Sequence, residues 1–153
     1  MQRRRVQRRR GWAMSAVLEA ALARWPGAQS YRPGDSAALN AEILGLMRSG
    51  KKRASCEAWS VFEEGTEALP EVGRVDLALD WQGRPALALR TTEVLRLRFG
   101  EMGEAMVAEQ GEFADLADWR RGYEAYLTRA GRFEPEVEMM FERFELVEDL
   151  AGW

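Results

Sequence analysis

Apolar positions recur at helical spacing in some stretches and alternate in others, and this pattern orders the chain. From Ala13 to Trp25, Val17, Leu18, Ala21 and Leu22 repeat with a helical period, which predicts a helix stopped by Pro26-Gly27. From Ser36 to Ser49, Leu39, Ile43, Leu46 and Met47 form one stripe, with Asp35 or Ser36 as cap and Gly50 as stop. Ala54 to Glu64 is ambiguous; a strand giving way to a short helix that carries Trp59 and Phe62 accommodates it. Val75, Leu77, Leu79 and Trp81 then alternate with Asp76, Ala78 and Asp80, and Gln82-Gly83-Arg84-Pro85 closes a hairpin. On the return strand, Ala86 to Phe99, the residues Leu87, Leu89, Leu95, Leu97 and Phe99 share one parity. Arg90, Thr92, Arg96 and Arg98 share the other, a cationic strip. Helical pieces follow near 100–108 and 115–130, the second with Leu116, Trp119, Tyr123, Leu127 and Ala130 on one side. The last strand, Val137 to Val147, flips its apolar parity between Phe141 and Phe144, which predicts a bulge or burial on both faces. Helices, strands, helices and a strand in that order make an α+β fold.

Composition narrows the chemistry. A chain of 153 residues, 46% of them apolar, is expected to form one globular domain with a real core. No run approaches the roughly 20 apolar residues of a membrane span. No signal-peptide core appears either, so a soluble, cytoplasmic protein is expected. The chain has no histidine and a single cysteine, Cys56. That excludes an intrachain disulfide and removes the commonest general base and metal ligand. Catalysis is left to Lys, Ser, Cys, Asp, Glu or Tyr. Phosphate-loop, dinucleotide and zinc spacings are absent, so neither a cofactor nor a metal is expected. The dispersed glutamates from Glu134 to Glu148 read as a solvated face.

Charge is unevenly placed. Arg3, Arg4, Arg5, Arg8, Arg9 and Arg10 crowd an N-terminal head, residues 1–13, which reads as a disordered extension or a nucleic-acid-binding arm. Without those six the chain has 16 cations against 25 acids, a net charge of −9. Such a body binds nucleic acid only at a local patch. The best candidate is the basic turn Arg48-Ser49-Gly50-Lys51-Lys52-Arg53-Ala54-Ser55 at the end of a packed helix. Cations there also complement the helix dipole. A serine needs a base to become a nucleophile, and Lys52, flanked by Lys51 and Arg53, is placed to be one. Strand alternation sends Lys52 and Ser55 to opposite faces, so they converge only if the chain turns or bulges between them.

The stretch Asp35 to Ala58 resembles the ASCH domain family. So do Leu69-Pro70-Glu71-Val72-Gly73, Thr91-Thr92-Glu93-Val94 and Phe141-Glu142-Arg143-Phe144-Glu145-Leu146-Val147. The pieces fall in family order over residues 31–148, after an N-terminal helix region at 14–30. The resemblance implies a PUA-like fold, a small curved β-barrel with flanking helices, and a cleft that binds RNA or a nucleotide. Some members look like amidohydrolases that deacylate modified cytidine; others look like ribonucleases.

For the amidohydrolase type the resemblance implies a lysine, a hydroxyl three positions later and a distant glutamate. Lys52 and Ser55 match the first two, with serine for the family's threonine. Glu109, with Glu112 second, matches the glutamate. Arg53 replaces the threonine usual after the lysine and puts a bulky cation at the cleft. In the hydrolytic reading Ser55 attacks an acyl carbonyl, Lys52 takes its proton and Glu109 orients Lys52 or shuttles protons. In the binding reading Lys51, Lys52, Arg53, Arg90, Arg96 and Arg98 hold phosphates while Trp59 or Trp81 stacks a base. In a third, ribonuclease, reading a lysine or carboxylate acts as the base. The expected partner in all three is RNA or a nucleoside, with no membrane.

Overall fold

The computed structural model describes residues 15–153; the arginine-rich head expected to be a disordered extension lies outside the described residues. The elements run α1 (Ala16–Arg24), β1 (Ser30–Tyr31), α2 (Ala37–Arg48), β2 (Ala54–Ala58), α3 (Trp59–Glu63), β3 (Val75–Leu79) and β4 (Pro85–Arg98). A 3₁₀ turn (Phe99–Glu101), α4 (Glu104–Gln110), α5 (Leu116–Arg129) and β5 (Glu138–Asp149) complete the chain. The five strands form one mixed sheet in the order β1-β3-β4-β5-β2. Only β1 and β3 run parallel. The α+β class holds. The sheet is open, with β1 and β2 at its edges.

Local chemistry explains the helix limits. The hydroxyls of Ser15 and Ser36 accept from Leu18 N and Leu39 N, and the Asp115 carboxylate accepts from Asp118 N, so α1, α2 and α5 each start on a side-chain cap. The buried face of α2 carries Asn40, Ile43, Leu44 and Met47 rather than the expected stripe with Leu46. Asn40 faces inward because its amide donates to Pro33 O at 2.8 Å and Leu79 O at 3.1 Å. It ties α2 to the end of β3.

The sheet is buried on both faces near its centre, which explains where alternation fails. Asp76 and Ala78 of β3 are as buried as Leu77. Asp76 lies inside because Gln29 N and the Arg74 guanidinium bind its carboxylate. Met139, Met140, Phe141 and Glu142 of β5 are all buried, one of the two outcomes that the parity flip predicted. On β4 the pairing with β5 slips between Thr91 and Glu93, leaving Thr92 as an extra residue. A one-residue slip exchanges faces. Leu87 and Leu89 therefore pack with Ile43, Leu44 and Met47 of α2, whereas Leu97 packs on the opposite core with Trp119 and Tyr123 of α5. The cationic strip expected on β4 is broken at the same point, with Arg90 on one side of the bulge and Arg96 and Arg98 on the other.

Substituting Asn40→Ala orphans two buried carbonyls and should cost about 2 kcal/mol or more. Urea unfolding checks it: a midpoint unchanged from wild type would show that water replaces the amide at no cost.

Candidate functional site

The basic turn after α2 folds inward at one residue. Gly50 takes the left-handed conformation, φ 81°, and Lys52 N donates back to Leu46 O at 3.0 Å. This turns the Lys52 side chain into the protein, where it is 1% exposed. Its Nζ donates to Ala54 O at 2.7 Å, Gln110 O at 3.1 Å and Glu112 Oε2 at 2.8 Å. Three acceptors match the three N–H donors of an ammonium.

Two of those acceptors come from the α4–α5 connection, which is held against the basic turn along its length. Arg53 N donates to Glu109 O at 2.7 Å. Gly111, at φ 74°, has no side chain, and a Cβ there would lie 2.7 Å from Lys51 O. Glycine thus serves both the left-handed turn that ends α4 and the close approach of two backbones. Glu112 is the one member of the ion pair with an outlet to solvent: its side chain is 7% exposed against 0% for Lys52.

Ser55 sits on β2 opposite Glu142 in the pairing with β5. Successive strand residues face opposite ways. Ser55 and Glu142 therefore share one face and Ala54 and Cys56 the other, while the Lys52 ammonium is held at the backbone of this edge strand, on Ala54 O. The face of Ser55 is polar and buried: Thr91 Oγ1 donates to Glu142 Oε2 at 3.3 Å, and Tyr126 Oη donates to Glu57 Oε2 at 2.7 Å. On the other side Gln110 Oε1 accepts from Cys56 Sγ at 3.4 Å and from Trp119 Nε1 at 3.0 Å. Burial pushes the Cys56 thiol up to about 12, so it stays a thiol and is no nucleophile.

Of the two candidate glutamates, Glu112 and not Glu109 meets the Lys52 amine. Glu109 does not reach Lys52; its carboxylate is clamped by Arg143 at 2.6 and 3.0 Å. That hydrogen-bonded guanidinium holds the Glu109 carboxyl below the usual carboxylate range. Glu109 is the last-turn residue of α4 on the side of β5, and only after Gly111 turns the chain does a carboxylate, Glu112, point at the amine. Gly111 was the sequence signal for this choice. Glu57, Thr91 and Glu142 belong to the stretches that carry the family resemblance but are not among the expected site residues; a carboxylate in the otherwise small and apolar run of β2 was the available hint.

The expected phosphate-binding cations are mostly spent on carboxylates. Arg90 pairs with Glu145, Arg96 with Glu138 and Glu63, and Arg98 with Glu136. Lys51 and Arg53 are exposed at the turn. The Trp59 ring carries the Arg96 guanidinium 4.4 Å from its centroid, and the Trp81 ring carries Arg32 at 3.7 Å. Trp59 and Arg96 also line a groove of about 350 Å³ with Glu63, Phe133, Glu136 and Glu138.

A family model described as ASCH domain matches residues 29–148. No curated protein matches the chain. Among solved structures, an ASCH domain from Lactobacillus crispatus JV V101 matches with a TM-score of 0.68 at 23% identity, over 86% of this chain and 91% of that one. Protein EF3133 from Enterococcus faecalis V583 matches with a TM-score of 0.68 at 26% identity, over 77% of this chain and 75% of that one.

Two predictions follow from the ion pairs. Removing one partner of a buried pair strands the other, at about 3–5 kcal/mol. Glu112→Leu should cost more than Lys52→Met, because Glu112 can reach water and Lys52 cannot. The double variant should be more stable than the sum of the two losses allows. Additive losses in chemical denaturation would show that the two groups do not interact.

The clamped carboxylate contributes to acid stability. Because the folded pKa of Glu109 lies below its unfolded value, the clamp stabilises the protein above the ordinary carboxylate range. That contribution is lost as pH falls through the depressed folded value. The melting-temperature gap between wild type and Arg143→Gln should therefore shrink from about pH 6 to about pH 3. A gap equally wide at both ends would contradict the assignment.

Proposed function

The chain belongs to the ASCH domain family, and from that premise we propose that it binds RNA or a modified nucleoside in a cleft beside the Lys52–Glu112 pair. The observation that carries this reading is the pair itself. Taking an ammonium and a carboxylate out of water costs several kcal/mol per ion, and a well-packed apolar pair would stabilise the same position as well or better. A buried set of charged and hydroxyl groups is the usual mark of a site. Exposed Lys51 and Arg53 stand at the rim of the same turn and suit a phosphate. The polar face of β2 and β5, with Ser55, Glu57 and Glu142, carries carboxylates and a hydroxyl of the kind that recognise the amino and imino N–H groups of a base. On a PUA-like reading this face lies inside the curve of the sheet.

Hydrolysis of an acyl-amide on cytidine is the second reading, favoured by one observation: an amine and a carboxylate already meet at Lys52 and Glu112, three residues from a hydroxyl. Glu112 replaces Glu109 in that scheme. Ser55 Oγ would add to the acyl carbonyl, its proton passing to Lys52. The C–N bond would break as the exocyclic nitrogen leaves with a proton, and water would then hydrolyse the acyl-serine. All three N–H directions of the Lys52 amine are taken by Ala54 O, Gln110 O and Glu112, so it must release one of them before it can serve Ser55. The present geometry thus favours binding.

A single set of incubations separates the readings. Full-length protein should bind a short RNA or acetylated cytidine, with Lys51→Ala and Arg53→Ala each weakening the complex about threefold to tenfold and added salt weakening it further. Binding that ignores both variants and salt would remove the rim from the site. Acetate release that Ser55→Ala abolishes would establish the hydrolase. RNA cleavage lost in Lys52→Met would establish a ribonuclease.

A further inference from the structure

The groove beside Trp59 has a chemistry opposite to that of the basic turn. Trp59 and Phe133 supply its aromatic lining. Four carboxylates, Glu63, Glu134, Glu136 and Glu138, look into it, and the two cations in its lining are already engaged. Arg132 is bound by Ser60 and Glu64, and Arg96 by Glu138 and Glu63. The way Arg96 is held shows what the groove can grip. Its guanidinium lies 4.4 Å from the indole centroid while Glu138 binds two of its nitrogens. A flat cation between an aromatic face and a forked carboxylate is the arrangement in which arginine outperforms lysine. A phosphate brought here meets the surplus carboxylates and is repelled.

We propose that this groove is a docking site for an arginine-rich segment of a polypeptide, of the composition this chain itself carries at Gln2 to Arg10. Charge complementarity selects that partner. Glu134 has no cation assigned to it within the groove, and Glu136 is held only by a 3.4 Å contact with exposed Arg98, so both can exchange to an incoming guanidinium. About 350 Å³ accommodates one or two arginine side chains, not a folded domain.

The probe is a synthetic peptide with the sequence of residues 2–10. The receptor is the full-length chain in which Arg3, Arg4, Arg5, Arg8, Arg9 and Arg10 are each replaced by Gln, so that its own head cannot compete. Titration should shift the Trp59 indole N–H resonance saturably, and the shift should fade as salt shortens the range of the charges. A peptide with lysine at every arginine should bind at least about threefold more weakly. The triple variant Glu63→Gln, Glu134→Gln, Glu136→Gln, checked for an unchanged amide spectrum, should lose the complex. A Trp59 signal that never moves overturns the proposal. So does a shift confined to other indoles, equal binding by the triple variant, or an RNA oligonucleotide that moves the Trp59 resonance at lower concentration than the peptide does.

Discussion

One ammonium turned inward at the end of α2 constrains everything near the candidate site. A lysine so placed must have its three protons met, because an unmet buried charge is too costly to keep. Ala54 O, Gln110 O and Glu112 Oε2 meet them. Those three come from the start of β2 and from the loop after α4, segments almost 60 residues apart in the chain. The amine therefore fixes the edge strand against the helical layer, and the position of Ser55 and Glu57 on β2 follows from it. Gly111 belongs to the same constraint, since the loop can approach Lys51 only where no side chain intervenes.

From that seam the sheet sorts its faces. The core under α4 and α5 contains Cys56, Phe141, Met139 and Leu97. The core under α2 contains Leu87, Leu89 and Phe144. The bulge at Thr92 lets one long strand serve both, because an extra residue reverses which parity faces which layer. It also fixes where the polar face lies: Thr91, just before the slip, reaches Glu142, which stands opposite Ser55. The structural irregularity and the polar site are thus consequences of one inserted residue.

Much of this was legible in the sequence, and the remainder was hidden for definite reasons. The cap at Ser36 and the strand–helix switch at Trp59 are local, so composition and period reveal them. The amine of Lys52 was legible as chemistry but not as geometry. Nothing local distinguishes Lys52 from Lys51, although one is buried and the other exposed. The choice between Glu109 and Glu112 depended on a left-handed turn at Gly111 and on Arg143, whose claim on Glu109 comes from a strand 34 residues later. The β4 arginines looked like a strip because period two extends through Thr92 in sequence, whereas pairing does not.

The sign of the surface follows from the same pairing. Cross-strand neighbours interact in pairs, and β5 places glutamates beside the arginines of β4: Glu145 beside Arg90 and Glu138 beside Arg98 in register. An arginine met in this way contributes little field of its own. With those cations neutralised, the excess acid shows itself at the Trp59 groove, where the carboxylates outnumber the guanidinium groups. The exposed positive charge near the ion-paired lysine is reduced to Lys51 and Arg53. On the two readings proposed above, this strand pairing sorts a phosphate to the basic turn and a guanidinium to the Trp59 groove.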